Sequence, residues 1–403
     1  MPEAWPWREA VVDLLARTRI AQPDGLSAAV NAALRPLGVR MTLYLVDKEQ
    51  RALRALPEPD RPAPPGLAVD STVAGRAFTS VRAVPATDDP RGGSRLWLPL
   101  LDGTERLGVV EVTASRPGAA DAADFAEQCD MFAALVGHLI TVKMPYGDFL
   151  VTARRTQRMS EASELVWRLL PPLTYACDRM VISAVLEPCY DVGGDGFDYA
   201  VGGSRAFFTI LDTVGHGLSS GLGTAVALSA MRAARRAGDG LVAIAEAADA
   251  ALVEYIADSH FATAVVAELD LDTGLLRYLN AGHPRPLLLR RGKVVRELAG
   301  GRRMPLGLAD PKIEVAEEML EFGDRLLLYT DGVIEARDRQ GAWFGEGRLI
   351  ELFERHAAAD LPAPETLRRL CHAALAHYDG PPRDDATLLL VEWSARAAGT
   401  VLP

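Results

Sequence analysis

The chain has 403 residues, room for two or three domains at roughly 150 residues each. Hydrophobic residues make up 49% and charged residues 24%, the balance of a soluble globular protein. Asp plus Glu number 54 against 43 Lys plus Arg, a formal charge of −11, which argues against general nucleic-acid or anionic-membrane binding because either wants a basic face.

No Arg/Lys-flanked apolar stretch of the signal-peptide kind opens the chain. Residues 1–145 read as a small α+β domain with one sheet. Ala10–Arg17 and Leu26–Leu37 have apolar residues at helical spacing, and Phe125–Val142 is a longer apolar helix. Met41–Val46, Leu96–Leu101 and Leu107–Val112 suit strands, the last two joined by the hairpin signal Asp102-Gly103. Pro57–Gly66, with five prolines, is a loop.

Residues 146–172 read as a linker helix of coiled-coil character. Leu150, Met159, Ala162, Leu165, Val166, Leu169 and Leu170 recur at spacings of three and four, with arginines and glutamates between, until Pro171 and Pro172 stop the helix. An apolar stripe there predicts pairing with a second copy in a homodimer. The alternative is docking of the stripe on its own neighbouring domain.

Residues 173–395 alternate strands with long helices, and 396–403 are a tail. Val181–Leu186, Ala206–Leu211, Ala264–Leu269, Leu275–Leu279, Pro286–Leu289, Arg325–Tyr329 and Ala386–Val391 read as strands. Leu218–Arg236, Leu241–Ile256, Arg348–Ala357 and Pro364–His377 read as helices. Two consecutive helices between groups of hairpin-linked strands predict antiparallel sheets covered by helix pairs, an α+β sandwich. Thr213–Met231, the longest run without Asp, Glu, Lys or Arg, carries four glycines, three serines and a histidine; a membrane span wants about 20 mostly apolar residues, so none is expected. Asp270-Leu-Asp272-Thr-Gly274 reads as a hairpin turn, since it lacks the rest of a calcium loop. Cys129, Cys177, Cys189 and Cys371 include no CxxC pair and read as reduced thiols, consistent with a cytoplasmic location.

The chemistry lies in aspartates at strand ends, each beside glycine or a small polar residue. They are Asp195 and Asp198 in Val192-Gly-Gly-Asp195-Gly-Phe-Asp198, Asp212 in Asp212-Thr-Val-Gly-His-Gly217, Asp331 after Tyr329-Thr330, and Asp384-Asp385 before Ala386-Thr387. A carboxylate at the end of a buried strand is costly unless paired or bound to metal. Lys and Arg are nearly absent from these segments, Arg383 excepted. Carboxylates gathered without basic partners repel one another and hold their protons, or recruit hard cations. All-oxygen donors suit Mg²⁺ or Mn²⁺, not zinc. His216 reads as a capping or orienting residue between two glycines. His283, in Asn280-Ala-Gly-His283-Pro284, either reaches the site or holds its turn.

Together, Val192-Gly-Gly-Asp195, Asp212–Gly217, Phe261-Ala-Thr263, Asn280–Pro284, Pro305-Leu-Gly307, Tyr329-Thr-Asp331-Gly332 and Asp384-Asp-Ala-Thr387 resemble the serine/threonine phosphatases of the PPM (protein phosphatase 2C) superfamily, in the branch of stage II sporulation protein E and the Rsb-type phosphatases. The resemblance covers about 175–395 and implies an α-β-β-α sandwich. It implies that Asp212 bridges two divalent ions, Mn²⁺ or Mg²⁺. The Thr213 carbonyl would ligate one, Asp331 and Asp384 the other, and Asp195 would bind a metal or its waters. Asp385 would stand behind the ligands. The catalytic set is thus Asp195, Asp212, Asp331 and Asp384, acting through an activated water without a protein nucleophile. The branch usually has two aromatics after Gly-Gly-Asp, where this chain has Gly196 and Phe197, so a looser loop around Asp195 is expected.

Residues 1–145 resemble a GAF domain through Met41–Val46, Asp70-Ser-Thr-Val-Ala-Gly75-Arg-Ala-Phe78 and the 96–112 hairpin, which implies a sensory α/β domain with a small-molecule or protein input. The order sensor, linker, phosphatase implies regulation. The implied substrate is a phosphorylated signalling protein, of the anti-sigma-factor antagonist kind. A non-catalytic phosphoprotein-binding scaffold is the competing reading, and a missing metal aspartate would favour it; none is missing. Nucleotidyl chemistry would need a phosphate-cradling loop with a Lys or Arg, for which only Arg383 qualifies.

Overall fold

A computed structural model describes residues 6–58, 62–86, 94–114, 123–191, 193–255, 261–310, 312–380, 382, 384–395 and 398–403. Of the positions singled out above, Pro59–Arg61, Val192, Ile256, Arg383 and the start of the tail lie outside the described residues. The chain divides into two compact units, Met1–Gln157 with Leu402–Pro403, and Arg158–Val401.

The first unit contains α1 (Pro6–Thr18), α2 (Leu26–Leu34), β1 (Val39–Val46), β2 (Ala52–Ala55), β3 (Leu67–Ala68), α3 (Val73–Ser80), β4 (Val84–Ala86), β5 (Ser94–Asp102), β6 (Glu105–Ala114), α4 (Ala123–Lys143) and α5 (Phe149–Ala153). Its strands form one antiparallel sheet in the order β3-β2-β1-β6-β5-β4. Alternation along each strand serves two covered faces. Met41, Leu43 and Leu45 pack with Leu98, Leu100 and Val110 under α1, α2 and α4. Tyr44, Val46, Trp97 and Val109 pack with Phe78 of α3 on the other side. Strands buried on both faces read as apolar runs, which is why β1, β5 and β6 were legible. The expected hairpin turn follows Asp102, with Gly103 at φ 57°. Helix α4 lies at backbone contact with β5, and a Cβ on Gly137 would come within 1.8 Å of the Leu101 carbonyl oxygen.

The second unit contains α6 (Glu161–Leu169), β7 (Thr174–Cys177), β8 (Met180–Glu187), β9 (Asp195–Gly202), β10 (Arg205–Thr213), α7 (Leu218–Ala237), α8 (Leu241–Tyr255), β11 (Ala262–Asp270), β12 (Leu275–Ala281), β13 (Leu287–Arg290), β14 (Lys293–Glu297), β15 (Arg302–Arg303), β16 (Ala316–Met319), β17 (Asp324–Tyr329), α9 (Asp331–Ile334), α10 (Glu346–Ala358), α11 (Ala363–Leu375) and β18 (Ala386–Trp393). One sheet runs β15-β12-β11-β10-β9, with β16 on β12, and the other β14-β13-β17-β18-β8-β7. Phe197, Phe208, Ile210, Leu328 and Leu389 lie in the core between the sheets. Leu228, Met231, Ile244 and Leu252 of α7 and α8 cover the first sheet. Phe353, Leu367 and Leu370 of α10 and α11 cover the second. The expected α+β class and the α-β-β-α layering are therefore present. Asp270 Oδ1 accepts the N–H groups of Asp272 and Thr273 at 3.0 and 2.8 Å, so that aspartate pair makes the expected hairpin turn.

The expected continuous helix over 146–172 is corrected to two short helices. After α5 the chain turns away: the Arg154 carbonyl accepts Lys48 N–H and the Arg155 carbonyl accepts Arg54 Nη1 at 2.7 Å. A new helix begins where Ser160 Oγ accepts the Ser163 N–H. The apolar stripe is consumed inside each unit. Leu150 belongs to the first core, Met159 packs with Cys189 and Tyr190, and Val166 with Leu186. For Leu150, Met159 and Val166 this is the alternative reading, docking within the chain, while Leu165 and Leu169 stay half-buried.

Gly137→Ala should destabilise the first unit by about 1–3 kcal/mol, because overpacking against backbone cannot be relieved by a rotamer change. Urea unfolding followed by far-UV circular dichroism measures it; an unchanged midpoint would refute the close approach of α4 to β5.

Candidate metal centre

Strands β9 and β10 pair antiparallel with Asp195 directly opposite Asp212. The other sheet contributes from two segments. β17 leads through Thr330 into Asp331, the first residue of α9. β18, paired with β17, is preceded by Asp384 and Asp385. The segments are tied together by polar contacts. Thr330 Oγ1 donates to Asp195 Oδ2 at 2.8 Å. Asp385 Oδ2 accepts the consecutive N–H groups of Gly193, Gly194 and Asp195 at 2.6, 2.9 and 3.1 Å. Asp385 N–H donates to Asp384 Oδ1 at 2.9 Å.

Glycines permit this closeness. A Cβ on Gly194 would stand 2.0 Å from the Thr213 carbonyl oxygen, and one on Gly332 would stand 2.0 Å from that of Asp385. Gly196 lies against α7, where a Cβ would meet Thr224 Cγ2 at 2.6 Å. Residues 193–195, the described part of the loop expected to be looser, make several hydrogen bonds. Besides the Asp385 cradle, the Gly194 carbonyl accepts Thr213 N–H and Thr224 Oγ1, and Ser220 Oγ donates to the Gly193 carbonyl at 2.8 Å. Gly196 leaves room for Thr224 of α7 beside this segment.

The electrostatics follow from burial and crowding. Asp195, 1% exposed, has its carboxyl held well above the usual range by desolvation and then by the charges of Asp212 and Asp385. Asp212 is pushed up to about 7 by desolvation, then by Asp331, Asp384 and Asp385. Asp385 is pushed up to about 6 by burial, against its backbone hydrogen bonds. Asp384 is raised by burial and by Asp331 and Glu335. Among the described residues, the charges acting most strongly on Asp195, Asp212 and Asp384 are carboxylates.

All four expected aspartates therefore share one space, with the Thr213 backbone beside it. Among the described residues, no three His, Cys, Asp or Glu side chains close on a single point. Asp195, Asp384 and Asp385 each give an oxygen to a donor of the protein. The donor set, carboxylate and carbonyl oxygens with no basic partner among the described residues, fits a hard divalent cation.

The other candidates have structural roles. His283 is buried, with its N–H on Asn280 Oδ1 at 2.8 Å and Nδ1 on Thr263 Oγ1 at 2.8 Å. Burial holds its pKa down at about 3, so it is a neutral residue that fixes its turn. His216 is exposed. Asp198 pairs with Arg232 and Arg235 of α7. Pro305-Leu-Gly307 is held by Asp249, which accepts Gly307 N–H and pairs with Arg303. Sequence reasoning missed Thr330 and Glu335. Glu335 was findable, lying four residues after Asp331 and so on the same face of a helical turn; Thr330 carried no signal, since its partner is 135 residues away.

A carboxyl raised to about 7 makes the folded, cation-free chain hold a proton that the unfolded chain has released above about pH 4. Stability contributed below the unfolded pKa is then lost as pH rises through the folded one. Without divalent cations, the thermal midpoint of the wild type relative to that of Asp212→Asn should fall between about pH 4 and about pH 7, the opposite contribution of His283 being common to both proteins, and Mn²⁺ added above that range should restore it. Differential scanning calorimetry of the two proteins with and without chelator checks this; a difference that is flat or rising over that window would contradict the crowding.

Several known proteins resemble this chain. The family model for stage II sporulation protein E (SpoIIE) matches residues 202–394, which include Asp212, Asp331 and Asp384 and begin after Asp195. The phosphoserine phosphatase RsbP of Bacillus subtilis is 28% identical over 225 residues, 53% of this chain and 53% of that protein. The phosphoserine phosphatase RsbU of the same organism is 24% identical over 216 residues, 53% of this chain and 63% of that protein. The chain thus spans little more than half the length of these curated relatives. A crystal structure of the RsbU and RsbW domains of a Mycobacterium tuberculosis protein is 28% identical, covering 56% of this chain and 63% of that one with a TM-score of 0.48. The C-terminal unit of this chain is thus similar to the SpoIIE family and to the phosphatases RsbP and RsbU.

Proposed function

We propose that the chain is a metal-dependent protein serine/threonine phosphatase that uses Mn²⁺ or Mg²⁺ at the cluster around Asp212. The observation that carries this reading is the gathering of Asp195 and Asp212, opposite each other on one strand pair, with Asp331, Asp384 and Asp385 from the other sheet, a crowding that a cation pair relieves. The names of RsbP and RsbU support the same chemistry and a phosphoserine substrate.

Asp212, Asp331, Asp384 and the Thr213 carbonyl would hold the ions, with Asp195 at the same site. A divalent pair in such a site supplies a water of lowered pKa and offsets phosphoryl charge. The chain's own groups do the positioning. Asp212 and Asp195 face each other across one strand pair. Asp331 opens a helical turn directly after β17. Asp385 anchors the Gly193–Asp195 backbone beneath them. The acidic cluster itself repels a phosphorylated substrate, so binding of cation and substrate are coupled by charge.

The substrate we infer is a phosphorylated regulatory protein of the anti-sigma-factor antagonist kind, from the resemblance to Rsb-type phosphatases. The first unit is proposed as a GAF-like sensory module, a reading supported by its two-faced antiparallel sheet; its input would be a small molecule or a protein. Among the described residues no helix is long and apolar enough to cross a membrane, which is compatible with a cytoplasmic enzyme.

The full chain should release phosphate from a phosphoserine peptide only with Mn²⁺ or Mg²⁺. Asp212→Asn should lower kcat by at least about 100-fold, since charge stabilisation worth several kcal/mol is lost. Hydrolysis that persists in chelator, or in the folded Asp212→Asn protein, would overturn the assignment.

A further inference from the structure

Thr330 occupies the N-cap position of α9, with φ −84° and ψ 162°, yet its side chain accepts no hydrogen bond from that helix. A threonine in this place ordinarily accepts an N–H of the first turn. Here the buried hydroxyl is committed elsewhere. It accepts the Thr387 N–H at 2.9 Å, which fixes its orientation through the first residues of β18. Its single hydrogen has two acceptors in reach, Asp195 Oδ2 at 2.8 Å and the Asp385 carbonyl at 3.5 Å. The shorter contact, to a carboxylate, takes it. A capping hydrogen bond has been exchanged for one that crosses from one sheet to the other and ends on an acidic side chain of the cluster.

We propose that Thr330 is a positioning residue for Asp195: its hydroxyl holds Oδ2 and so orients the carboxyl toward the cation. The Thr387 side chain also bears on this carboxyl. The inference rests on the metal-centre reading above and adds to it what orients Asp195. Asp195 lies in the strand sheet opposite to Thr330, so the bond also fixes how the ends of the two sheets close on each other. Thr330→Ser keeps the donor, whereas Thr330→Val keeps the shape and removes it.

Two measurements on the full chain test this. In calorimetric titration with Mn²⁺, Thr330→Val should weaken binding about tenfold or more and Thr330→Ser should stay within about twofold of wild type, the scale on which loss of a ligand's outer partner acts. In urea unfolding without divalent cations, Thr330→Val should shift the midpoint in both backgrounds, since the Thr387 N–H loses its acceptor in each, but clearly more in the wild-type background than in an Asp195→Ala background. Wild-type Mn²⁺ affinity in folded Thr330→Val, or an equal midpoint shift in both backgrounds, would overturn the proposal. Should the wild-type chain bind no Mn²⁺, the metal reading fails by itself, and the urea comparison still decides whether Thr330 orients Asp195.

Discussion

Like charges forced into one poorly hydrated corner set the terms for the C-terminal unit. Asp195 and Asp212 are brought opposite each other by a strand pair, and Asp331, Asp384 and Asp385 arrive from the second sheet. Burial raises the cost of every charge, and each neighbour adds to it. The fold answers part of that cost internally. Three successive backbone N–H groups converge on Asp385, and a hydroxyl meets Asp195. Among the described residues Asp212, the aspartate that feels three others, accepts no comparable cradle, and it is the group for which an external cation would do most.

The surrounding architecture serves this corner. Gly194 and Gly332 sit where any side chain would strike backbone, so the sheet ends close to distances that other residues would forbid. Gly196 lets α7 approach, and Thr224 and Ser220 of that helix fasten the carbonyls of Gly194 and Gly193. The polar motifs outside the cluster hold turns: Asn280 with His283, and Asp249 with Arg303 and Gly307. Polar residues in recurring blocks thus divide into those that face the shared space and those that keep its walls in place.

The segment between the two units shows how burial overrides pattern. Its apolar residues recur at helical spacing, but Leu150 is drawn into one core and Val166 packs with Leu186 of the other unit. Backbone bonds to Lys48 and Arg54 stop the first helix, and Ser160 caps the second. Periodicity records which residues are buried, not which partner buries them.

The sequence alone determined the apolar strands and long amphipathic helices, because patterns such as Leu326–Tyr329 or Leu218–Arg236 are local and their periods follow from backbone geometry. It also marked Asp212, Asp331 and Asp384, since an acidic residue at the end of an apolar strand is conspicuous. β9 was not legible, as Asp195-Gly-Phe-Asp198 has neither alternation nor β-branched residues; its pairing with β10 makes it a strand. The resemblance had put Asp385 behind the ligands, but its contacts and those of Thr330 were decided only by tertiary structure. A hydroxyl's single hydrogen and a carboxylate's second oxygen are assigned by which groups lie within 3 Å, and those groups come from the far end of the chain.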